Sequence, residues 1–360
     1  MGFQILDARD PWGCHKWLEY WNSWEDGEVF AHPAYVRLFC RKQDKAMCAA
    51  YLSGDTKILF PFILRDLVEE PWVVEAQFRG LHDIITPYGY GGAFRLDGNS
   101  EQTSFWSEFG RWAVEQNVVS MFMRMSLFSD QLEPFEGQLR TIGENIVVQL
   151  MEPLDIIIAG YKHKVRTNVD KARRNGLYAI VDYNGEFLSS FLEIYYQTMD
   201  RNKAKLEYYF PRSFFQEVID NLPGQYVFFH ISDGDEILST ELVLLSAHRA
   251  YSYLGGTKAE SFPLRPNDLL KHEIIVWGKN RGLRQLVLGG GYAPNDGIYR
   301  YKKSFASYGG VDFCVGTKVF STNLYEALVT SRYSYERKRG SIGMANGYFP
   351  EYRAPIRDIL

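Results

Sequence analysis

The second half of the chain alternates strand-like runs with helical segments in one fixed order, and this order limits the fold more than any other feature. Three apolar runs, 226–232, 236–246 and 250–255, are separated by turns of three residues each, which predicts three consecutive antiparallel strands. Two helical segments precede them, and helix, strand, helix and strand follow at 267–281, 284–288, 296–306 and 311–319. The pattern predicts a mixed α/β fold.

The length of the chain predicts two domains. A single hydrophobic core rarely serves 360 residues. The first half repeats the plan of the second weakly, with a hairpin, a glycine-marked turn, a helix and a strand. We therefore predict a first domain at 1–150, a second at 151–330, and a C-terminal tail at 331–360 that packs as a cap.

Charge, cysteine usage and hydropathy exclude several classes of protein. The net charge is only −4, so the chain as a whole does not attract DNA or an anionic membrane, and any polyanion needs a local basic patch. The four cysteines show no metal-ligand spacing, and no HExxH or G-x-S-x-G motif occurs. No signal peptide and no apolar run of ~18–20 residues is present. These features predict a cytoplasmic protein with free thiols, no metal and at most peripheral membrane contact.

A basic helix is predicted at 153–175, closed by Gly176. At 3.6 residues per turn, one apolar stripe is formed by Tyr161, Val165, Val169 and Ala172. A basic row on the adjoining face is formed by Lys162, Arg166 and Arg173. This row is either a solvated helix face or a binding surface for phosphate, which arginine binds bidentately.

Three segments in this order resemble the Fem family of aminoacyltransferases, a tandem GNAT type of protein. Segment 161–176 resembles the family helix K-x-R-x-N-x-x-K-A-x-x-x-G. Segment 251–257, followed by 266–270, is similar to its strand with a Gly-Gly turn and helix. Segment 288–305 is similar to its glycine turn followed by G-I/L-Y-x-F-K-x-x-F. Two residues depart from the family pattern: Tyr301 stands where the family usually has Phe, and Ala306 stands where it usually has Gly.

The resemblance implies two GNAT-like domains packed around a shared cleft and an acyl donor such as aminoacyl-tRNA. Ordinary GNAT enzymes bind the pyrophosphate of CoA at a Q/R-x-x-G-x-G/A loop before a helix, and no convincing copy occurs here. The triple glycine around Gly290 follows a strand at some distance from the next helix, so it is only a weak phosphate cradle. Acyl-CoA therefore stays the alternative donor, and no permanently bound cofactor is predicted.

Two adjacent lysines are the candidate catalytic groups. Acyl transfer to an amine develops negative charge on the carbonyl oxygen, and an aligned cation there lowers the barrier by ~3–4 kcal/mol. The resemblance implies this role for Lys302, with Lys303 as the alternative if the motif is aligned one residue out. Tyr299 lies on the predicted buried face of the same helix. A pair of ordinary surface lysines is the competing interpretation.

Three acidic residues are candidate proton acceptors or substrate ligands: Glu241 on a central strand, Asp268 at a helix start and Asp83 near an aromatic loop. A base must lie within hydrogen-bond reach of the amine, which sequence does not show. At a helix start, a carboxylate is also favoured by the helix dipole alone. The predicted lining of the substrate cleft consists of Tyr88, Tyr90 and Tyr253. The high aromatic content is equally typical of an aromatic core.

The sequence thus predicts an N-acyltransferase that forms an amide bond on a cell-envelope precursor, such as a peptidoglycan stem peptide or an amino sugar. The expected partners are a nucleotide- or lipid-linked precursor and aminoacyl-tRNA, and not DNA. Two alternatives remain open at this point. One is a CoA-dependent N-acetyltransferase of an amino sugar in polysaccharide synthesis. The other is a degenerate GNAT pair that binds a glycan or serves as a scaffold.

Overall fold

A computed structural model describes residues 2–73, 76–96, 103–341 and 343–356. The chain divides into two compact units: unit 1 comprises Met1–Glu25, Phe30–Ile142 and Phe313–Leu360, and unit 2 comprises Asp26–Val29 and Gly143–Asp312. These bounds differ from the division predicted from sequence in three places. Residues 26–29 and 143–150 belong to unit 2, and residues 313–330, with most of the last predicted strand, belong to unit 1. The predicted tail belongs to unit 1 as well.

The structure consists of strands and helices, and from residue 186 to residue 319 they follow the order predicted from the sequence. The strands are β1 (Phe3–Asp7), β2 (Lys45–Ser53), β3 (Thr56–Asp66), β4 (His82–Ile85), β5 (Phe94–Arg95), β6 (Val118–Arg124), β7 (Gln138–Gln149), β8 (Tyr178–Asp182), β9 (Tyr226–Ser232), β10 (Ile237–Leu245), β11 (Arg249–Thr257), β12 (Gln285–Gly289) and β13 (Gly310–Val319). The helices are α1 (Pro11–Asn22), α2 (Pro33–Arg37), α3 (Phe105–Glu115), α4 (Leu154–Ala159), α5 (His163–Arg174), α6 (Leu188–Arg201), α7 (Arg212–Asn221), α8 (Pro266–Asn280), α9 (Gly297–Lys303) and α10 (Thr322–Lys338).

Unit 1 is built on the strand order β1-β2-β3-β4-β6-β13, with β5 added to β3. Its neighbours are antiparallel except for the parallel pair β4–β6. The core beneath α3 is aromatic: Phe60 lies 5.3 Å from Trp106 and 5.2 Å from Phe109 between ring centroids. Many of the aromatic residues of the first half therefore serve packing.

Unit 2 has the order β8-β9-β10-β11-β12-β7. The neighbours are again antiparallel except for one parallel pair, β11–β12. The apolar stripe predicted on the basic helix is buried against this sheet, with Val165 3% and Val169 4% exposed. Helix α8 packs beside α5 and supplies Leu269, Leu270 and Ile274 to the same core.

The sixth strand in each unit pairs with a strand that is far away in sequence. In unit 1 it is β13, which follows β12 in sequence and pairs with β6. In unit 2 it is β7, which follows β6 in sequence and pairs with β12. The two units therefore share one topology, and each takes its last strand from the segment that follows the fifth strand of the other.

The predicted basic helix is two helices rather than one. Helix α4 ends at Gly160, and Lys162 has an extended backbone (φ −60°, ψ 145°) before α5 begins. The backbone N–H of Lys162 donates to the carbonyl oxygen of Ser304, 2.8 Å away. This tertiary hydrogen bond replaces an intrahelical one, which is why helical periodicity alone does not reveal the break.

The C-terminal region is anchored in unit 1. Leu328 of α10 and Tyr352 are fully buried with Trp72 and Val119. Asp83, also fully buried, accepts hydrogen bonds from Arg65, Tyr352 and Arg353. Of the predicted tail, residues 342 and 357–360 lie outside the part described.

Further properties of the described residues bear on the protein's class. The cysteines, Cys14, Cys40, Cys48 and Cys314, form no disulfide. Within the described ranges, no helix has the length and hydropathy that crossing a bilayer requires. Nor do three or more His, Cys, Asp or Glu side chains of that part of the chain gather as a metal-binding group.

Candidate active site

The parallel strands β11 and β12 of unit 2 separate soon after they pair. Their ladder covers Arg249–Tyr251 opposite Gln285–Val287 and then ends. Beyond that point β11 has a β-bulge, because Leu254 pairs with Leu242 of β10 and Ser252 pairs with Val243, which leaves Tyr253 as the extra residue. A bulge beside the end of a ladder redirects the backbone and opens a gap at the sheet.

The equivalent place in unit 1 is closed by backbone hydrogen bonds. Past the β4–β6 ladder, the N–H of Thr86 donates to Phe122 O (3.2 Å) and that of Gly91 donates to Arg124 O (2.8 Å). The N–H of Ser126 then donates to Gly91 O at 2.7 Å. The glycine-rich stretch at 86–92 thus closes this position in unit 1, and the separated strands of unit 2 are the candidate site.

Lys302, on α9, lies next to this gap. Its Nζ donates to the carbonyl oxygen of Gly290, 2.7 Å away, just past β12. Burial, and then the positive charge of Lys271, lower the pKa of Lys302 to about 8, although Glu241 and Asp296 act in the opposite direction. A lysine with this pKa is still mostly protonated at pH 7, and it is poorly hydrated, so its charge acts strongly on a nearby oxygen.

The glycine at 290 is required by close packing. A Cβ at this position would lie 2.5 Å from Oδ1 of Asn145 and 3.0 Å from the backbone oxygen of Glu144. Any side chain would therefore push the turn away from β7 and displace the carbonyl that Lys302 binds. The turn at Gly290, considered as a weak phosphate-binding loop, supplies the carbonyl oxygen that binds Lys302.

Lys303 has a different environment from its neighbour. Its Nζ donates to the hydroxyl of Tyr299 at 2.8 Å and lies 3.4 Å from Oε2 of Glu144, and its side chain is 37% exposed. Tyr299 donates to the same carboxylate. The hydrogen bond with Tyr299 raises the pKa of Lys303. The contacts separate the two lysines: Lys302 binds a backbone carbonyl, and Lys303 belongs to a partly exposed cluster with Tyr299 and Glu144.

Glu241 is held by a buried ion pair. Its two carboxylate oxygens both accept from Nζ of Lys271, and the same ammonium donates to Ser252 Oγ at 2.6 Å. Glu241 and Lys271 are only 5% and 6% exposed. A carboxylate engaged in this way is a poor base, since it must give up a buried partner to accept a proton.

Sequence reasoning did not find Lys271. The available signal was a lysine placed between two apolar pairs of α8. It is followed by Ile274 and Ile275 and preceded by Leu269 and Leu270, all of them buried. A lysine at such a position needs a buried acidic partner, but the partner, on β10, lies 30 residues away in sequence.

The N-terminus of α8 is occupied by an acid. Asp268 is 9% exposed and accepts from Nδ2 of Asn168 on α5 at 3.2 Å, and burial raises its pKa. Pro266 stands in the first turn and has no N–H to donate. Tyr301 donates its hydroxyl to the carbonyl of Asn267 at 3.1 Å, and burial raises its pKa. A helix start with this composition repels an anion rather than binding one.

The three residues of the basic row, Lys162, Arg166 and Arg173, have different contacts. Lys162 is exposed at the start of α5. Arg166 donates to the carbonyl oxygen of Ala159 at 3.2 Å, which caps the end of α4. Arg173 pairs with Glu273 of α8 at 2.8 Å. A phosphate would therefore meet Lys162 and Arg166 more readily than Arg173, whose charge Glu273 already compensates.

The other predicted cleft residues fall in both units. Tyr88 is 39% exposed in unit 1, and Tyr90 packs edge-on against Phe313 at 5.6 Å. Tyr253 is the bulge residue beside the gap in unit 2. Asp83 has its carboxylate in full use by Arg65, Arg353 and Tyr352, and the arginines keep its pKa low although burial alone would raise it. These contacts connect the C-terminal region to Asp83. They do not support the predicted contact of Asp83 with substrate.

Comparisons with known proteins agree with this architecture. Residues 159–303 match the family model described as an acetyltransferase (GNAT) domain. No curated protein matches the sequence. The fold is similar to the crystal structure of FemX, with a TM-score of 0.65 at 11% identity over 87% of this chain and 98% of that one.

Two further structures are similar. One is the C-terminal domain of a protein assigned as a lysylphosphatidylglycerol synthetase from Agrobacterium fabrum, with a TM-score of 0.52 at 11% identity over 88% of this chain and 97% of that one. The other is L-PGS from Bacillus licheniformis, with 0.51 at 14% over 91% and 98%. Identities this low show the fold alone. The mixed α/β class and the GNAT-type fold predicted from the sequence are confirmed.

Proposed function

We propose that this chain, an acyltransferase that carries a GNAT domain and has the fold of FemX, transfers an aminoacyl group to an amine of a cell-envelope precursor. The observation that carries the proposal is Lys302. It is a desolvated ammonium bound to Gly290 O, beside the place where β11 and β12 separate. Its surroundings suit a group that waits for developing negative charge.

The reaction needs few protein groups. The neutral amine of the acceptor attacks the ester carbonyl carbon of the donor, and the carbonyl π electrons move to the oxygen, where the ammonium of Lys302 stabilises them. Collapse of this intermediate forms the amide and breaks the carbon–oxygen bond of the ester. The leaving hydroxyl takes the proton that the amine loses, directly or through solvent. Glu241 is not needed as a base, in keeping with its ion pair to Lys271.

An aminoacyl-tRNA donor suits the start of α8 better than CoA does. A pyrophosphate at that helix would meet Asp268 and the missing N–H of Pro266. A donor that needs no pyrophosphate site at the start of α8 is not affected by the charge of Asp268 or by the missing N–H of Pro266. The exposed Lys162 and the half-buried Arg166 lie at the start of α5 and would hold a phosphate of the tRNA or of the precursor. Tyr253, the bulge residue beside the gap in unit 2, is the proposed contact for the acceptor.

The acceptor class is proposed from the resemblance to the Fem family and from the structures that share the fold. Lysylphosphatidylglycerol synthetase, by its name, makes lysylphosphatidylglycerol. A nucleotide- or lipid-linked peptidoglycan precursor with a free amine is our first choice. An amino sugar acetylated from acetyl-CoA is the second, because the matching family model describes an acetyltransferase domain.

A two-donor assay tests this function. We expect the purified protein to add one aminoacyl residue to a UDP-linked precursor peptide when charged tRNA is supplied, detected by mass spectrometry of the precursor. Acetyl-CoA should neither raise the melting temperature nor yield acetylated precursor. The matched control is the same mixture treated with ribonuclease before the enzyme is added. Acetylation of an amino sugar by acetyl-CoA alone would contradict the proposed donor.

The transfer rate should fall above about pH 8. The pKa of Lys302 is lowered from 10.5 to about 8, so the stabilising charge is present below this pH and is lost above it. Where the acceptor amine is already neutral, each further pH unit should reduce the single-turnover rate about tenfold, and deprotonation of that amine produces the rising limb at lower pH. Lys302→Arg, which keeps its charge, should remove the falling limb. A rate that keeps rising to pH 9.5 would contradict this assignment.

A further inference from the structure

The ion pair of Lys271 and Glu241 contacts Ser252, the first residue of β11 beyond its ladder with β12. Both side chains are almost completely buried, and both carboxylate oxygens bind the one ammonium. Desolvating two charges offsets most of their attraction, so a buried pair of this kind adds little net stability. Its contact at the end of the ladder points to a role in the candidate site.

Lys271 connects three elements of unit 2. It is part of α8, its carboxylate partner is on β10, and Ser252, at 2.6 Å, is on β11. Ser252 directly precedes the extra residue of the bulge, Tyr253. One ammonium thus fixes the spacing of β10 and β11 at the point where β11 leaves β12. The bulged edge of β11 would shift if this contact were lost.

The same pair also acts electrostatically on Lys302. The charges that shift the pKa of Lys302 belong to Lys271 on α8, Glu241 on β10 and Asp296 at the start of α9. Lys271 disfavours the charge on Lys302, whereas Glu241 favours it. Removing one partner alone would therefore change the pKa of Lys302, in opposite directions for the two partners.

We propose that Lys271 is a positioning residue, which holds the bulge of β11 through Ser252 and balances the charge of Glu241 beside Lys302. The proposal rests on the proposed role of Lys302 in transfer. It adds that the site requires a second cation, Lys271, whose position is fixed by Glu241 and Ser252. Lys271 does not itself touch the substrate.

An NMR titration of Lys302 tests the electrostatic part. The protein is labelled with ¹³C-lysine, the Cε signal of Lys302 is identified through Lys302→Arg, and its shift is followed from pH 6 to 11. We expect Lys271→Met to raise the titration midpoint of Lys302 by about one unit, and Glu241→Gln to lower it by a similar amount. Midpoints that stay unchanged, or that move in the same direction in both variants, would overturn the proposal.

A milder variant tests the positional part, even if neither charge variant folds. Ser252→Ala removes one hydroxyl from the bulge and keeps both charges. We expect the backbone amides of 252–256 to exchange about tenfold faster with deuterium, while those of β9, a neighbour of β10, stay unchanged. Equal exchange in Ser252→Ala and the parent protein would overturn the positioning role.

These measurements are independent of the proposed reaction. Neither uses an acyl donor or acceptor, so failure of the transfer assay would not produce failure here. Conversely, if the titration midpoint of Lys302 does not depend on Lys271, the inferred role of Lys271 is lost and the proposed role of Lys302 in transfer is unaffected.

Discussion

Lys302→Ala is expected to slow acyl transfer by about 10²–10³-fold, the cost of removing one oxyanion-stabilising group. The loss should appear in the single-turnover rate and not in the binding of donor or precursor, since the ammonium binds Gly290 O in the resting protein and gains its main interaction only in the transition state. Rapid-quench measurement with the donor established in the two-donor assay gives the rate. Fluorescence titration gives the affinities.

Lys303→Ala is the matched comparison, because it removes the adjacent lysine of the same helix. Its ammonium is bound to Tyr299 and Glu144 and is partly exposed. We expect the rate to fall less than about tenfold, in line with the small energies of partly exposed ion pairs. A larger loss in Lys303→Ala than in Lys302→Ala would reverse the assignment of the two lysines. Equal and small losses would contradict it altogether.

Asp83→Ala is expected to reduce the free energy of unfolding by about 3–5 kcal/mol, the typical cost of removing one partner from a buried charge pair. Asp83 is fully buried, and its carboxylate neutralises Arg65 and Arg353. Without it, two largely buried guanidinium groups have no carboxylate between them, and the segment around Tyr352 loses its anchor. Urea denaturation followed by tryptophan fluorescence measures the change, because Trp72 packs against Tyr352 at 5.9 Å.

The control for this variant is Asp170→Ala, an exposed aspartate on α5, which should change stability by no more than about 0.5 kcal/mol. The pH dependence gives a second check. The pKa of Asp83 is held below its ordinary value, so its contribution is complete at pH 7 and is lost as the pH falls through the lowered pKa. The two curves should therefore converge in acid. A loss below about 1 kcal/mol at pH 7 would contradict the anchoring role.

The elements of the second half were predictable because their signals are local. The turns at 233–236 and 246–248 separate the three strands, and the side chain of Asp296 accepts the N–H of Tyr299 as the N-cap of α9. The buried stripe of α5 follows from helical periodicity. Lys302 was identified from the motif resemblance, and the structure adds its contact with Gly290 and its lowered pKa.

The features that escaped prediction depend on partners far apart in the chain. The pair of Glu241 and Lys271 joins a strand to a helix 30 residues later, and Asp83 meets Arg353 after 270 residues. The break at Gly160 depends on a hydrogen bond to Ser304. Neither residue spacing nor composition encodes such partners, since the three-dimensional path of the chain alone brings them together.

The exchange of β7 and β13 has a consequence for the order in which the protein is made. The sheet of unit 1 is incomplete until residues 315–319 have left the ribosome, by which time all of unit 2 has been synthesised. During translation, β6 therefore remains an edge strand with one side unpaired. Its pairing with β13 is among the last folding events. Truncation anywhere before residue 315 removes a strand from the half of the protein that was translated first.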